Sequence, residues 1–427
     1  MRVLVVGSGG REHALTWALS RSPKVTAVYV APGNAGTTAM ATNVPIVADD
    51  LAAMSQHCVE ERYDLVVVGP EVPLAEGLAD RLRAEGIRVF GPSQQCAQIE
   101  ASKAYAKDFM STHGIPTAAY ATFDDYAQAR DYVASHGAPI VIKASGLAAG
   151  KGAIVCQTEE EAQRALDRVM KERAFGDAGD TVVLEDCLTG QEASVLAFTD
   201  GETVVPMVVA QDHKAAYDGD RGPNTGGMGC YAPTSLVDDA TVERVVEQVL
   251  QPAVDGLRAR GCRYVGVLYA GLMLEDDRFQ VLEFNCRFGD PETQVILPLL
   301  ETDLVDIMEA CIDGRLDEVR VSWRDQSAAC VVMASGGYPS SYEKGFAIEG
   351  LDDAAALQDT VVFHAGTRCD DGRVLTDGGR VLGVTAWADT LSDAMVRAYQ
   401  AVEQIHWPGI MYRSDIGAKG LREGKDA

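Results

Sequence analysis

Short apolar runs alternate with amphipathic stretches over the first hundred residues. Residues 2–6, 26–30, 65–68 and 88–90 are continuous apolar segments of strand length, and 11–20 carries apolar positions at helical spacing. Strands covered on both faces read this way, so the pattern predicts a doubly wound parallel sheet flanked by helices. The strands end in Gly or Pro, at Gly7, Pro32-Gly33, Gly69-Pro70 and Gly91-Pro92. Ligands bind at those carboxyl ends in sheets of this kind.

The pattern then changes. A helix over 103–113 stops at Gly114-Ile-Pro116, and 140–143 with 153–156 read as two strands around Gly-rich 144–152. A charged helix at 159–171 and a strand at 181–185 complete a small α+β unit at about 118–190. Strands follow at 193–198 and 204–209, then a long segment without periodicity at 210–233. A helix at 241–259, a hairpin 265–274/279–284 around Glu275-Asp-Asp-Arg278, and a helix at 299–313 come next. A fresh pattern starts near 327, with a strand at 328–334, short strands and a helix at 391–405. The expected organisation is a doubly wound domain 1–101, a second domain 102–326 carrying the 118–190 subdomain, and a small α+β domain 327–427.

A length of 427 residues exceeds one ordinary core and fits about two to four domains. The formal net charge of −26, from 63 acidic against 37 basic residues, would repel nucleic acid and acidic membrane leaflets, so neither is an expected partner. Anionic small substrates stay possible, because local Gly loops and a few cations can hold them. The ten cysteines are scattered without a C-x-x-C pair. That gives no support to a zinc ribbon or dithiol motif and predicts free, mostly buried thiols in a cytoplasmic protein. The opening MRVLVVG is not a basic region followed by a long apolar stretch, so no signal peptide is expected. No run approaches the roughly 18 apolar residues of a membrane span.

Several segments carry candidate chemistry. Gly7-Ser-Gly9-Gly10-Arg11-Glu12 follows the first strand and opens a helix, where backbone amides can cradle a phosphate. A dinucleotide site would want a small residue at Glu12 and an acid where Pro32-Gly33-Asn34 stand, so a substrate phosphate fits better. Gly146-Leu-Ala-Ala-Gly150-Lys151-Gly152 is not a P-loop: it has three residues between its glycines, and a strand follows it. It reads as a hairpin folding over phosphates, with Lys143 and Lys151 supplying charge. In 281–285, strand alternation puts Val281, Glu283 and Asn285 on one face and Leu282 and Phe284 on the other. Glu283 and Asn285 can then converge on a hard cation, since magnesium takes only one or two protein oxygens. Arg287 follows and can reach a transferring phosphoryl group. The loop from Asp212-His-Lys214 to Asn224-Thr-Gly-Gly-Met-Gly229 packs acids, bases and glycines together, as a backbone approaching a ligand requires.

Together these segments resemble the ATP-grasp ligases, and among them the purine-biosynthetic branch that joins glycine to 5-phospho-β-D-ribosylamine. The carrying motifs are GSGGREHAL at 7–15, APGNAGT at 31–37, GPEVPLAEGLAD at 69–80, FGPS at 90–93, SKAYAKDFM at 102–110, KASGLAAGKG at 143–152, DHKAAYDGDRGPNTGGMGCYAP at 212–233, LEFNCRFGDPETQ at 282–294 and LTDGGRVLGVTA at 375–386. They span nearly the whole chain. The resemblance implies an ATP-grasp core with a mobile lid, and ATP with magnesium or manganese as cofactors. Its implied partners are the two small substrates, with a monomer or weak homodimer as the assembly. By resemblance, Lys103, Lys143, Gly150, Lys151 and Gly152 hold ATP phosphates. Glu185, Cys187 and Leu188 form the adenine linker, with Glu192 near the ribose. Glu283 and Asn285 bind the metal, and Arg287 steadies phosphate or the acyl phosphate. Asp212, Lys214, Asn224, Thr225, Gly226, Gly227, Met228, Gly229, Asp290 and Pro291 lie near glycine and the ribosylamine. Gly9, Gly10, Pro32, Gly33 and Asn34 lie near the substrate phosphate. Two departures stand out: Ala270 occupies the place of a further metal carboxylate, and Ala215 that of a basic residue after Lys214.

Overall fold

A computed structural model of the chain describes residues 1–148 and 150–423; Ala149 of the Gly-rich hairpin, and 424–427 at the end of the expected third domain, lie outside the described residues. The first sheet has five parallel strands in the order Thr42–Asn43, Ala27–Pro32, Arg2–Gly7, Leu65–Val68, Val89–Phe90. Alternate residues of its central strands enter different cores. Leu4, Val6, Val66 and Val68 pack with Met54 and Leu82, whereas Val3, Val5, Leu65 and Val67 pack with Leu15 and Leu19. This two-sided burial is why the runs are continuously apolar.

A four-stranded antiparallel sheet forms the middle of the molecule, in the order Val204–Pro206, Gln191–Thr199, Gly266–Glu275, Arg278–Asn285. A second antiparallel sheet, Tyr120–Phe123, Val182–Asp186, Ile140–Ala144, Ala153–Cys156, has its own small core with helices Tyr126–His136 and Glu159–Leu166. Two capped helices lead into it. Ser93 caps Gln94–Ala101 and Ser102 caps Lys103–Thr112, each through its hydroxyl.

The segment at 210–233 departs from expectation. It contains four short strands, Gln211–Asp212, Ala215–Tyr217, Arg221–Asn224 and Gly229–Ala232. Strands of two to four residues are too short to show alternation in sequence. The first and last of them join Ser327–Ser335, Arg380–Ala388 and Thr360–His364 in one sheet, so residues on both sides of position 326 share a β-layer. The expected helix over 299–313 is two helices, Thr293–Leu299 and Leu304–Asp313. The backbone is extended at Leu300, and the Asp303 carboxylate caps the second helix. The expectation of free thiols also needs correcting, because Cys96 and Cys262 form a disulfide across 166 residues of sequence. Among the described residues, no helix is long and apolar enough to cross a membrane.

Candidate active site

A cleft of about 290 Å³ lies between the middle sheet, the 120–186 sheet and the 211–229 segment. Its walls carry Lys143, Gly150, Gly152, Glu185, Cys187 and Leu188 from the 120–186 sheet and its connections, the lid side, with Lys103 from the helix before it and Glu192 from the edge of the middle sheet. Asp212, Lys214, Asn224, Thr225, Gly226 and Asp290 line it from the other side, and Glu283, Asn285 and Arg287 from the middle sheet.

The strand Arg278–Asn285 reaches the cleft by a route that simple alternation does not predict. Gly271 pairs with Glu283 but Leu272 pairs with Val281, so Leu282 is an extra residue in the ladder. Such a bulge resets which face each side chain takes. Val281 therefore packs with Phe279 and Phe284 in the core, while Leu282, Glu283 and Asn285 border the cleft. The expected grouping of Val281 with Glu283 and Asn285 is corrected; the pairing of Glu283 with Asn285 stands as geometry. Ordinary alternation on the paired strand accounts for Ala270. It is fully buried in the core with Leu272, and its neighbours Tyr269 and Gly271 face the cleft. A carboxylate at 270 would point away from Glu283.

Charge balance organises the lid side. Lys143 Nζ lies 2.9–3.0 Å from the Glu185 carboxylate and 3.0 Å from the Leu282 carbonyl. Lys107, one helical turn after Lys103, lies 2.8 Å from Glu185 and donates to the Thr117 hydroxyl at 2.8 Å. Burial pushes the Lys107 ammonium down to about 8 despite Glu185. The Glu185 carboxylate is thus held between two lysines. Lys103 donates to the Gly146 carbonyl at 3.2 Å, and its backbone N–H to the Ser145 carbonyl at 2.8 Å. These bonds tie the helix start to the root of the Gly-rich hairpin. Lys151 instead points outward, to the Pro339 carbonyl at 3.3 Å.

Arg287 bonds Glu100 at 2.9 Å, Glu71 at 3.3 Å and the Asn285 amide oxygen at 3.1 Å. Burial alone would lower its pKa, but Glu100 and Glu71 outweigh it and raise the pKa, so Arg287 stays charged. For Glu283 burial acts upward, yet Lys214, Lys143, Lys103 and Arg287 together hold the carboxyl below its usual range. Among the described residues no group of three or more His, Cys, Asp and Glu side chains could hold a metal by itself. One carboxylate and one amide oxygen on a cation-lined wall suit an ion that shares most of its ligands with phosphates and water.

Family models match the chain in three consecutive pieces: the phosphoribosylglycinamide synthetase N domain at 1–100, its ATP-grasp (A) domain at 101–293, and its C domain at 328–419. The chain belongs to the phosphoribosylglycinamide synthetase family. It is 52% identical to a phosphoribosylamine–glycine ligase of Nostoc sp., over 98% of this chain and 99% of that one. It is also 52% identical to a trifunctional purine biosynthetic protein of Gallus gallus, over 98% of this chain, and spans 42% of that protein's length. The crystal structure of a phosphoribosylamine–glycine ligase from Thermotoga maritima superposes with a TM-score of 0.86 at 34% identity, covering 97% of this chain and 100% of that one.

Some residues expected of such a family site stand off the cleft. Gly9, Gly10, Pro32, Gly33 and Asn34 do not line it. The Gly9 amide donates to Glu12 at 2.6 Å and the Arg11 amide to Asp290 at 3.5 Å, so a phosphate at this loop would meet carboxylates. Asn34 is buried and bonds the carbonyls of Ser8 and His364, both at 2.8 Å. Met228 and Gly229 are packed beneath the loop, where a Cβ on Gly229 would lie 2.5 Å from the Cys330 carbonyl. Gly227 and Pro291 pack against one another behind Asp212. Sequence reasoning missed Lys107, Glu71, Glu100, Tyr269 and Arg380. Lys107 was findable, four residues after Lys103 on one helix face. Glu71 follows a strand-ending Gly-Pro. Arg380 lies in the 375–386 motif but nothing local ties it to the site; it donates to the carbonyls of Gly226 at 2.5 Å and Asp290 at 2.8 Å across 154 and 90 residues of sequence.

Proposed function

We propose that the chain is an ATP-dependent ligase that joins the carboxylate of glycine to the amine of 5-phospho-β-D-ribosylamine, releasing ADP and phosphate. The observation that carries this reading is the match of all three family domains in order, with most of the cation-lined cleft formed by the ATP-grasp piece. A carboxylate is a poor electrophile. Phosphorylation by ATP gives glycyl phosphate, and the ribosylamine nitrogen displaces the phosphate. The protein must mainly neutralise charge and align the reactants.

In this reading Lys103, Lys143 and the Gly150–Gly152 hairpin hold ATP phosphates, and the 185–188 backbone with Glu192 borders the nucleoside. Glu283 and Asn285 would hold a divalent ion, magnesium or manganese, which supplies charge neutralisation at the phosphates. Arg287, locked by Glu71 and Glu100, keeps the Asn285 oxygen in place. Asp212, Lys214, Asn224, Thr225 and Gly226 face the glycine and ribosylamine. A cytoplasmic location and a monomer or weak homodimer belong to the same reading. The test is ADP release by the purified protein with ATP, magnesium, glycine and phosphoribosylamine. Release that requires both substrates and yields glycinamide ribonucleotide supports the reading; no glycine-dependent release would remove it.

A further inference from the structure

The cleft is rich in carboxylates, but most are already engaged. Glu71 and Glu100 hold Arg287, and Glu185 lies between Lys143 and Lys107. Asp186 pairs with His136 at 3.0 Å. Glu292 accepts from the Tyr269 and Ser194 hydroxyls at 2.8 and 2.9 Å. Asp290 accepts from Gln294 at 2.8 Å and faces Arg380 at 3.5 Å. Glu192 is half-buried at the mouth, 3.9 Å from Lys214.

Asp212 differs from all of these. Its side chain is only 4% exposed, and among the described residues its Oδ1 has neither a hydrogen-bond partner nor an ion pair, whereas Glu185 Oε1, which also lacks a hydrogen bond, lies 2.9 Å from Lys143 Nζ. The other oxygen lies 3.5 Å from Lys214 Nζ. The oxygen is kept bare by its neighbour: Gly227 has φ +111°, and a Cβ there would stand 2.6 Å from Oδ1. A buried carboxylate oxygen left without a donor costs about 1–3 kcal/mol, so its retention points to a use in the reaction. His213, also buried with unpaired ring nitrogens, is not on the cleft wall.

We propose that Asp212 Oδ1 accepts the proton of the attacking amine, a role that rests on the ligase reading above. The ribosylamine nitrogen forms a C–N bond to the glycyl carbonyl carbon. The C–O bond to phosphate breaks, phosphate leaves with the electron pair, and the surplus proton on nitrogen passes to Oδ1. Groups facing this carboxyl are Lys214, Glu292, Arg380 and Glu192; burial, with Glu292 and Glu192, raises its pKa, and Lys214 and Arg380 oppose the rise.

The experiment separates the two half-reactions. Glycyl phosphate is trapped as the hydroxamate with hydroxylamine, a strong nucleophile at neutral pH, and transfer to phosphoribosylamine is followed as glycinamide ribonucleotide. Asp212→Asn is expected to lower amine transfer by about 100-fold or more, the usual worth of a general base, while hydroxamate formation, which does not need that base, falls by at least about 10-fold less than transfer. The acid limb of kcat for transfer should vanish in this variant, and Asp212→Glu should recover part of the rate. A parallel loss of hydroxamate and transfer would overturn the proposal and make Asp212 a glycine-binding residue. Transfer at the parental rate would overturn it as well. A parent enzyme that makes no glycine-dependent hydroxamate would instead remove the ligase reading itself, and the Asp212 role with it.

Discussion

On the lid side of the cleft Glu185 lies between Lys143 and Lys107, and at the end of the adjoining middle-sheet strand Arg287 lies between Glu100 and Glu71. On the opposite side, built from the 211–229 segment, Asp212 keeps one oxygen without a donor and has its nearest cation 3.5 Å from the other. Both regions are buried and polar, so burial alone does not distinguish them. The paired side is a fixed electrostatic frame that needs no reorganisation when a triphosphate arrives. The unpaired side holds a group whose proton balance can change during a turnover. The contrast separates residues that hold from a residue that reacts.

The largest effect should come from the strand joining the two sides. Glu283→Ala is expected to reduce turnover by about 1,000-fold or more, with circular dichroism and melting showing an intact fold. Near-parental activity in that variant at limiting magnesium would dismiss the metal role. Next comes the paired side itself. Glu185→Ala leaves Lys143 and Lys107 buried without their carboxylate, and removal of one partner of such a pair costs about 3–5 kcal/mol. Urea unfolding should register that loss. A change below about 1 kcal/mol, the range of exposed ion pairs, would mean that the lysines find other partners and the frame is not rigid.

The unpaired side predicts the opposite sign. Asp212 holds its proton to about pH 7, well above an unfolded aspartate. Between about pH 4 and that value the folded state binds more protons, so its stability falls as pH rises through the window. Asp212→Asn should remove the fall and gain about 1–3 kcal/mol at pH 8, with little change at pH 4. Melting curves at the two pH values check this. A variant less stable than the parent at pH 8 would place Asp212 with the structural pairs.

The sequence reveals these two sides unequally. Leu65–Val68 and the other parallel strands show their burial directly, because both faces are apolar. Glu283 and Asn285 are legible too, as polar residues in an otherwise apolar strand. Alternation fails at Leu282, where the bulge depends on its partner strand and leaves no mark in either segment. The 210–233 strands are invisible for a related reason: Gly229–Ala232 exists through pairing with Ser327–Ser335, about a hundred residues away, and the other three are two to four residues long. The Cys96–Cys262 bond and the Arg380 contacts are tertiary facts of the same kind. That Asp212 lies in a reactive loop can be read from its glycines, but not that one of its oxygens lacks a partner.

The smallest expected effect concerns how the unpaired side is held open. Arg380 Nη1 donates to the carbonyls of Gly226 and Asp290, and the Gly226 amide donates to the Tyr338 hydroxyl at 3.2 Å. Residues of the C-terminal β-layer thus fix the loop that leaves Asp212 Oδ1 bare. Arg380→Ala removes charge-assisted bonds worth about 1.5–3 kcal/mol each when buried, but the freed carbonyls sit near the cleft, where water can replace part of that. The expected outcome is a rise of about 10-fold in KM for phosphoribosylamine, equal to about 1.4 kcal/mol, with hydroxamate formation from glycine unchanged. If KM for ATP rises equally, Arg380 supports the whole cleft, and the two sides are mechanically one unit.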